Sequence, residues 1–125
     1  MKYKGQEIEV NKNYVNKAIK ANILDDDTMR VIGFTDHNEK TWYFTRSTHD
    51  NGVCISFNIV IPKDGSDITI GVLDEAFLQP YDYQYYLEKN PEFKFALRVQ
   101  AFVESQMKYL KDLGVIDGWD YGMYI

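Results

Sequence analysis

His49, Asp50 and Cys54 are the residues of this chain whose types and spacing come nearest to a reactive site. They flank Asn51-Gly52, the strongest short-range signal for a two-residue hairpin, because a type I′ turn needs positive φ at both central residues. With that turn as pivot, His49 lies directly across from Cys54 and Asp50 comes next along the strand. An imidazole beside a thiol, oriented by a carboxylate, is the arrangement that activates a cysteine nucleophile. The signal is weak, however. Any hairpin of this kind sets some pair at that position, no pocket or helix N-terminus is implied, and no oxyanion donor is visible. An ordinary cross-strand pair is the simpler reading, and Cys54 and His49 stand as weak catalytic candidates.

Other chemistry is thinner still. Asp25-Asp26-Asp27 lacks the alternating acid spacing of a calcium loop, and consecutive residues rarely aim at one ion, so an exposed acidic loop is expected and no metal is assigned. His37 and His49 stand at opposite ends of a predicted strand, about 30 Å apart, too far to share a metal. The sequence holds no glycine-rich phosphate loop, nucleophile elbow or zinc-binding His-Glu-x-x-His helix. Asp74 and Glu75 are paired carboxylates, but a general acid needs an environment that shifts its pKa, and none is implied. No cofactor is expected. Cys54 is the single cysteine, which excludes an internal disulfide and a cysteine-based zinc site within one chain.

Tyrosine and tryptophan carry the better lead. Tyr81, Tyr83, Tyr85 and Tyr86 crowd together beside Asp82 and Glu88, and Trp119, Tyr121 and Tyr124 lie beside Asp117 and Asp120. Such rings give large, rigid contact area and dominate interface hot spots, although the same rings often lid a small core. Charge is placed unevenly too. Residues 1–63 hold nine Lys/Arg against eight Asp/Glu, whereas residues 64–125 hold five against eleven. The acidic half argues against nucleic acid, which is bound by neutralising phosphates, and suits a basic protein. The expected function is therefore a non-enzymatic binding, inhibitory or immunity-type module, with Tyr83, Tyr86, Trp119, Asp120 and Tyr121 as the partner-binding residues. A small-molecule binder or thiol-dependent enzyme, with a site between sheet and helices using Cys54 or His49, is the alternative.

These residues must be positioned by elements that the pattern also predicts. Counting outward from the Asn-Gly turn sets Trp42 across from Ile61, Phe44 from Ile59, Arg46 from Phe57 and Thr48 from Ile55. Tyr43/Val60, Thr45/Asn58, Ser47/Ser56 and His49/Cys54 then share the other face. One register thus gathers most large apolar groups on one side, and a one-residue slip would undo it. Strands are expected at Met29–Thr35, Lys40–Thr48, Val53–Ile61 and Asp67–Leu73, joined by short turns that favour a meander. Arg46 is out of place on the apolar face, and a buried stem or stacking on Phe57 or Trp42 would accommodate it. Asn11 is read as the cap of a first helix running to about Asn22, with Tyr14, Val15, Ala18 and Ile19 on one stripe. Lys2–Val10 reads as a small strand or hairpin. Tyr81–Lys89 reads as a short helix. Asn90-Pro91-Glu92 reads as the start of a long one, whose stripe is Phe95, Val99, Phe102, Val103, Met107, Leu110 and Leu113. Gly114 ends it, with Val115 folding back on Leu110.

The architecture expected is a single α+β domain over residues 1–125: a two-layer sandwich in which a four-stranded antiparallel meander, about 29–73, is packed on one face by the N-terminal helix and the long C-terminal helix. Met29–Thr35 and Asp67–Leu73 would be the edges, either of which offers a route to a homodimer. No apolar stretch is long enough to span a bilayer and no signal-peptide core is present, so a cytoplasmic protein that does not engage a membrane is expected.

Overall fold

A computed structural model describes residues 19–125 of the 125-residue chain. The expected small strand or hairpin at Lys2–Val10 and nearly all of the expected first helix lie outside the described residues. Where that helix was expected to end, the chain is extended instead. Lys20–Ala21 forms strand β1, paired antiparallel with β6, Ile116–Asp117. Backbone and side chain of Asn22 add bonds to the carbonyls of Val115 (2.7 Å) and Gly114 (3.1 Å). The carbonyls that α-helix geometry would use locally are here replaced by partners almost a hundred residues away.

The central feature is the hairpin of β2, Thr41–Asp50, and β3, Val53–Pro62. Every predicted pair from Trp42/Ile61 to Asp50/Val53 is present. Asn51 and Gly52 both take positive φ, at 51° and 81°, as the primed turn requires. β3 then pairs with β4, Thr69–Asp74, which pairs with the short β5, Gln79–Pro80, in a four-stranded antiparallel sheet of order β2-β3-β4-β5.

The segment expected to be the first strand differs. Asp26–Ile32 is helix α1. Asp25, read as part of a loop, is its N-cap: the carboxylate accepts from the Thr28 amide at 3.1 Å and hydroxyl at 2.7 Å, and Asp26 and Asp27 occupy the first turn, where the helix dipole favours them. Met29 and Ile32 bury a one-sided stripe while Val31 is 86% exposed. The helix closes at Gly33, with Phe34 N–H donating to the Met29 carbonyl at 2.9 Å. Of this segment only Thr35 pairs with the sheet by its backbone, through a single bridge to Tyr43. The sheet's outer strands are accordingly β2 and β5, so the edges proposed for dimerisation are displaced: Met29–Ile32 is helical, and Ile70 and Val72 of β4 are buried.

Two helices complete the described chain. Asp82 caps α2, Tyr83–Lys89, by accepting from the Tyr85 amide at 3.1 Å. The long helix α3 is Lys94–Asp112, starting after the Asn90-Pro91-Glu92 signal. Asn90 instead turns the chain, its side-chain oxygen accepting from the Glu92 amide at 3.1 Å. Ala96, Val99, Val103, Met107 and Leu110 form its buried face, which packs on β2 and β3. Leu113 falls off that stripe and is exposed. At its end, Gly114 and Val115 make the predicted closure, bonding the carbonyls of Lys111 and Leu110 at 3.0 Å each. Facing α3, the sheet supplies Trp42, Phe44, Ile55, Phe57, Ile59 and Ile61.

Arg46 sits among these apolar groups because it is occupied. Its guanidinium lies 4.2 Å from the centroid of Phe44, not on Phe57 or Trp42, and donates to the carbonyls of Thr45 (3.0 Å) and Ile32 (3.2 Å). It thereby helps to satisfy the last turn of α1, a task shared with the Tyr109 hydroxyl at 3.0 Å from Ile32 O.

Candidate functional site

The corner between α2 and α3 carries a run of aromatic contacts. Tyr81 stacks on Tyr86 with ring centroids 5.1 Å apart, and Tyr86 also meets Tyr85 at 5.3 Å and Phe93 at 6.0 Å. Phe95 closes the group, edge-on to Tyr81 at 5.4 Å. Such offset and edge-to-face contacts fix the rings relative to one another. Tyr85, Tyr86 and Phe93 nevertheless remain 51%, 40% and 37% exposed. Burial, and secondarily Tyr86 and Asp74, pushes the Tyr81 hydroxyl up to about 12. It makes no hydrogen bond among the described residues. The Tyr81 hydroxyl is therefore a neutral contact group, not an acid or base near neutral pH.

The residues expected to bind a partner divide into two kinds. Tyr86, Asp120 and Tyr121 are exposed. Tyr83 and Trp119 are core, and the expectation that their rings face a partner is corrected accordingly. Tyr83 accepts a hydrogen bond from the Ile125 amide at 3.2 Å, and burial holds its hydroxyl protonated far above the usual range. Trp119 packs edge-on against Tyr121 at 5.1 Å, and its carbonyl accepts from the Lys111 ammonium at 2.9 Å. An aromatic at helical or loop spacing reads alike whether it is core or surface; only the packing of residues 118–125 back onto α2 and α3 separates the two.

His49 and Cys54 are cross-strand neighbours as predicted, the imidazole exposed and the thiol half-buried. No hydrogen bond joins them among the described residues, so the geometry does not assemble an activated thiol. The back face of the same hairpin instead holds a polar chain that the sequence did not reveal. Tyr43 and Thr45 donate to the Asn58 side-chain oxygen at 2.6 and 2.8 Å, Asn58 donates to Ser56 at 2.9 Å, and Ser56 donates to the Glu75 carboxylate. Ser56 and Asn58 are each 2% exposed, and this network satisfies them.

A pocket of about 160 Å³ opens between the turn end of the hairpin and the start of α3. Ile55, Phe95 and Val99 give it an apolar lining; Thr48, His49, Asp50 and Arg98 add polar groups. Arg98 is tied by Nε to Asp50 Oδ2 at 2.5 Å. Among the described residues no cluster of three or more His, Cys, Asp or Glu is placed to hold a metal ion, and no helix is long and apolar enough to cross a membrane.

No family model matches the chain, and no curated protein does. A solved structure resembles it in fold: a DUF1831 family protein (lp2179) from Lactobacillus plantarum, at 12% identity and a TM-score of 0.53, over 78% of this chain and 82% of that one. At that identity the likeness speaks for the compact α+β architecture alone.

Proposed function

We propose that this chain is a non-enzymatic protein-binding module, of inhibitory or immunity type, that engages a basic protein through aromatic surface on its acidic second half. The observation that carries the reading is the exposure of Tyr85, Tyr86 and Tyr121, which the fold leaves half outside the core while fixing them by ring contacts. Pre-positioned rings lose little side-chain entropy on binding, which is why they serve as anchors. Surrounding acids in a half that holds eleven Asp/Glu against five Lys/Arg would steer a basic partner and set its arrival rate. A cytoplasmic setting accords with the single cysteine, which is free.

The test is capture from native lysate at low and high salt, with mass spectrometry of what is retained, by the unaltered chain and by Tyr85→Ser/Tyr86→Ser and Tyr121→Ser variants. The expected result is a basic protein held at low salt, shed at high salt, and lost from at least one variant. Retention that ignores both salt and the substitutions would overturn the reading.

A further inference from the structure

We propose that the pocket between the β2–β3 turn and the start of α3 binds a small monocarboxylate with one ring-sized apolar body. Volume, lining and charge each limit the ligand. The cavity, about 160 Å³, matches the roughly 150 Å³ that accommodates a single benzene-sized ring. Its floor is the part-exposed ring of Phe95, backed by Ile55 and Val99, and a ligand ring laid on Phe95 gains by leaving water. Ile55 and Val99 are core residues at 0% and 2% exposure, so this floor is held rigid by the sheet and by α3.

At the rim, Arg98 provides the recognition group. Asp50 holds the guanidinium through Nε, which fixes the plane of the fork, while Nη1 and Nη2 make no hydrogen bond among the described residues. A planar fork restrained on one side is suited to a carboxylate on the other. The Thr48 hydroxyl, on the same sheet face as Ile55, borders the same space and makes no hydrogen bond among the described residues, so it can donate to a carboxylate oxygen. Asp50 also decides the ligand's charge. With one guanidinium and one carboxylate the rim is formally neutral, so a single negative charge meets an available donor, whereas a dianion such as a phosphate monoester would face Asp50 with its second charge. A few polar groups placed around an apolar floor are what a small-ligand site requires. Phe95 adjoins both this pocket and the aromatic corner, but Tyr85, Tyr86 and Tyr121, on which the protein-binding reading rests, do not line the pocket.

Benzoate is the probe, followed by amide chemical shifts in a titration of the unaltered chain, with benzyl alcohol and acetate as controls. Saturable shifts at Ile55, Phe95 and Val99 are expected with benzoate, in the millimolar range. Losing the charge or the ring is expected to weaken binding by about tenfold or more, as is Arg98→Gln for benzoate alone. Arg98 is half exposed and its substitution leaves the floor in place, which an unchanged spectrum of the free variant verifies. Absent or non-saturating shifts at the floor residues would overturn the proposal, as would equal affinity for benzoate and benzyl alcohol. Should Arg98→Gln not fold, the comparison of the three probes on the unaltered chain decides alone.

Discussion

Gly33 and Arg46 show how much one residue pair contributes to holding α1 against the sheet. Gly33 has φ 126°, and a Cβ there would stand 2.2 Å from Arg46 Nη2. Alanine at this position therefore meets two penalties, a backbone conformation disfavoured for a side chain and the displacement of a guanidinium that donates to Ile32 O. We expect Gly33→Ala to lower stability by about 2–3 kcal/mol in urea unfolding. In an Arg46→Ala background the steric share disappears, so the same substitution should cost less, with a coupling of about 1 kcal/mol. Strict additivity in the double-mutant cycle would refute the close approach. Neither residue announced this role. Arg46 on an apolar face looked anomalous because its partners, the Ile32 carbonyl and the Phe44 ring, become neighbours only once α1 docks.

At the scale of elements, legibility followed the range of the interactions that fix each one. The β2–β3 register was readable residue by residue because an Asn-Gly turn and a strict two-residue alternation are local and agree. The α3 stripe and its Gly114 closure were readable for the same reason. Met29–Ile32 was misread because Met-Arg-Val-Ile alternates weakly, while the stronger cue, Asp25 three residues before Thr28 and followed by two acids, marks a helix start. β1 and β6 were beyond reach, since two-residue strands exist only through each other. The cap makes a pH prediction. Hydrogen bonds from Thr28, side chain first and then backbone, hold the Asp25 carboxyl below its ordinary 3.8. A carboxyl lowered on folding lends stability that is fully present above its unfolded value and is lost as pH falls through the folded one. Asp25→Asn keeps a capping oxygen without the charge, so it should retain helix α1 and show a shallower loss of stability below pH 3.8, whereas Asp25→Ala should be less stable at neutral pH as well. Far-UV circular dichroism and urea midpoints across that range will show it; identical pH profiles for all three chains would exclude the cap.

For the molecule as a whole, the decisive division is between aromatic residues that close the fold and those that leave it available. Residues 118–125 return to the helices: Trp119 is buried with its carbonyl on Lys111, Gly122 N–H meets Glu104 at 3.1 Å, and Ile125 reaches the Tyr83 hydroxyl. Composition alone grouped Tyr83 and Trp119 with Tyr86 and Tyr121, since all are aromatic and near acids. The pocket likewise escaped notice because Thr48, Ile55, Phe95 and Arg98 come from distant stretches, and only His49 and Asp50 had drawn attention, for a chemistry the geometry does not assemble. Stability and binding should therefore separate by residue. Trp119→Ala is expected to lose about 3–5 kcal/mol, as large buried aromatics do. Tyr83→Phe should lose about 1–2 kcal/mol by leaving the Ile125 amide buried without its acceptor. Tyr121→Ala should stay within about 0.5–1 kcal/mol, since the ring is more than half exposed and gives up mainly its edge contact with Trp119. On the protein-binding reading the order reverses for partner affinity measured on folded protein: Tyr86→Ala and Tyr121→Ala speed dissociation, while Tyr83→Phe leaves it unchanged. If Tyr121→Ala proved as destabilising as Trp119→Ala, the exposed ring would belong to the core, and the surface on which that reading depends would shrink to the corner of α2 and α3.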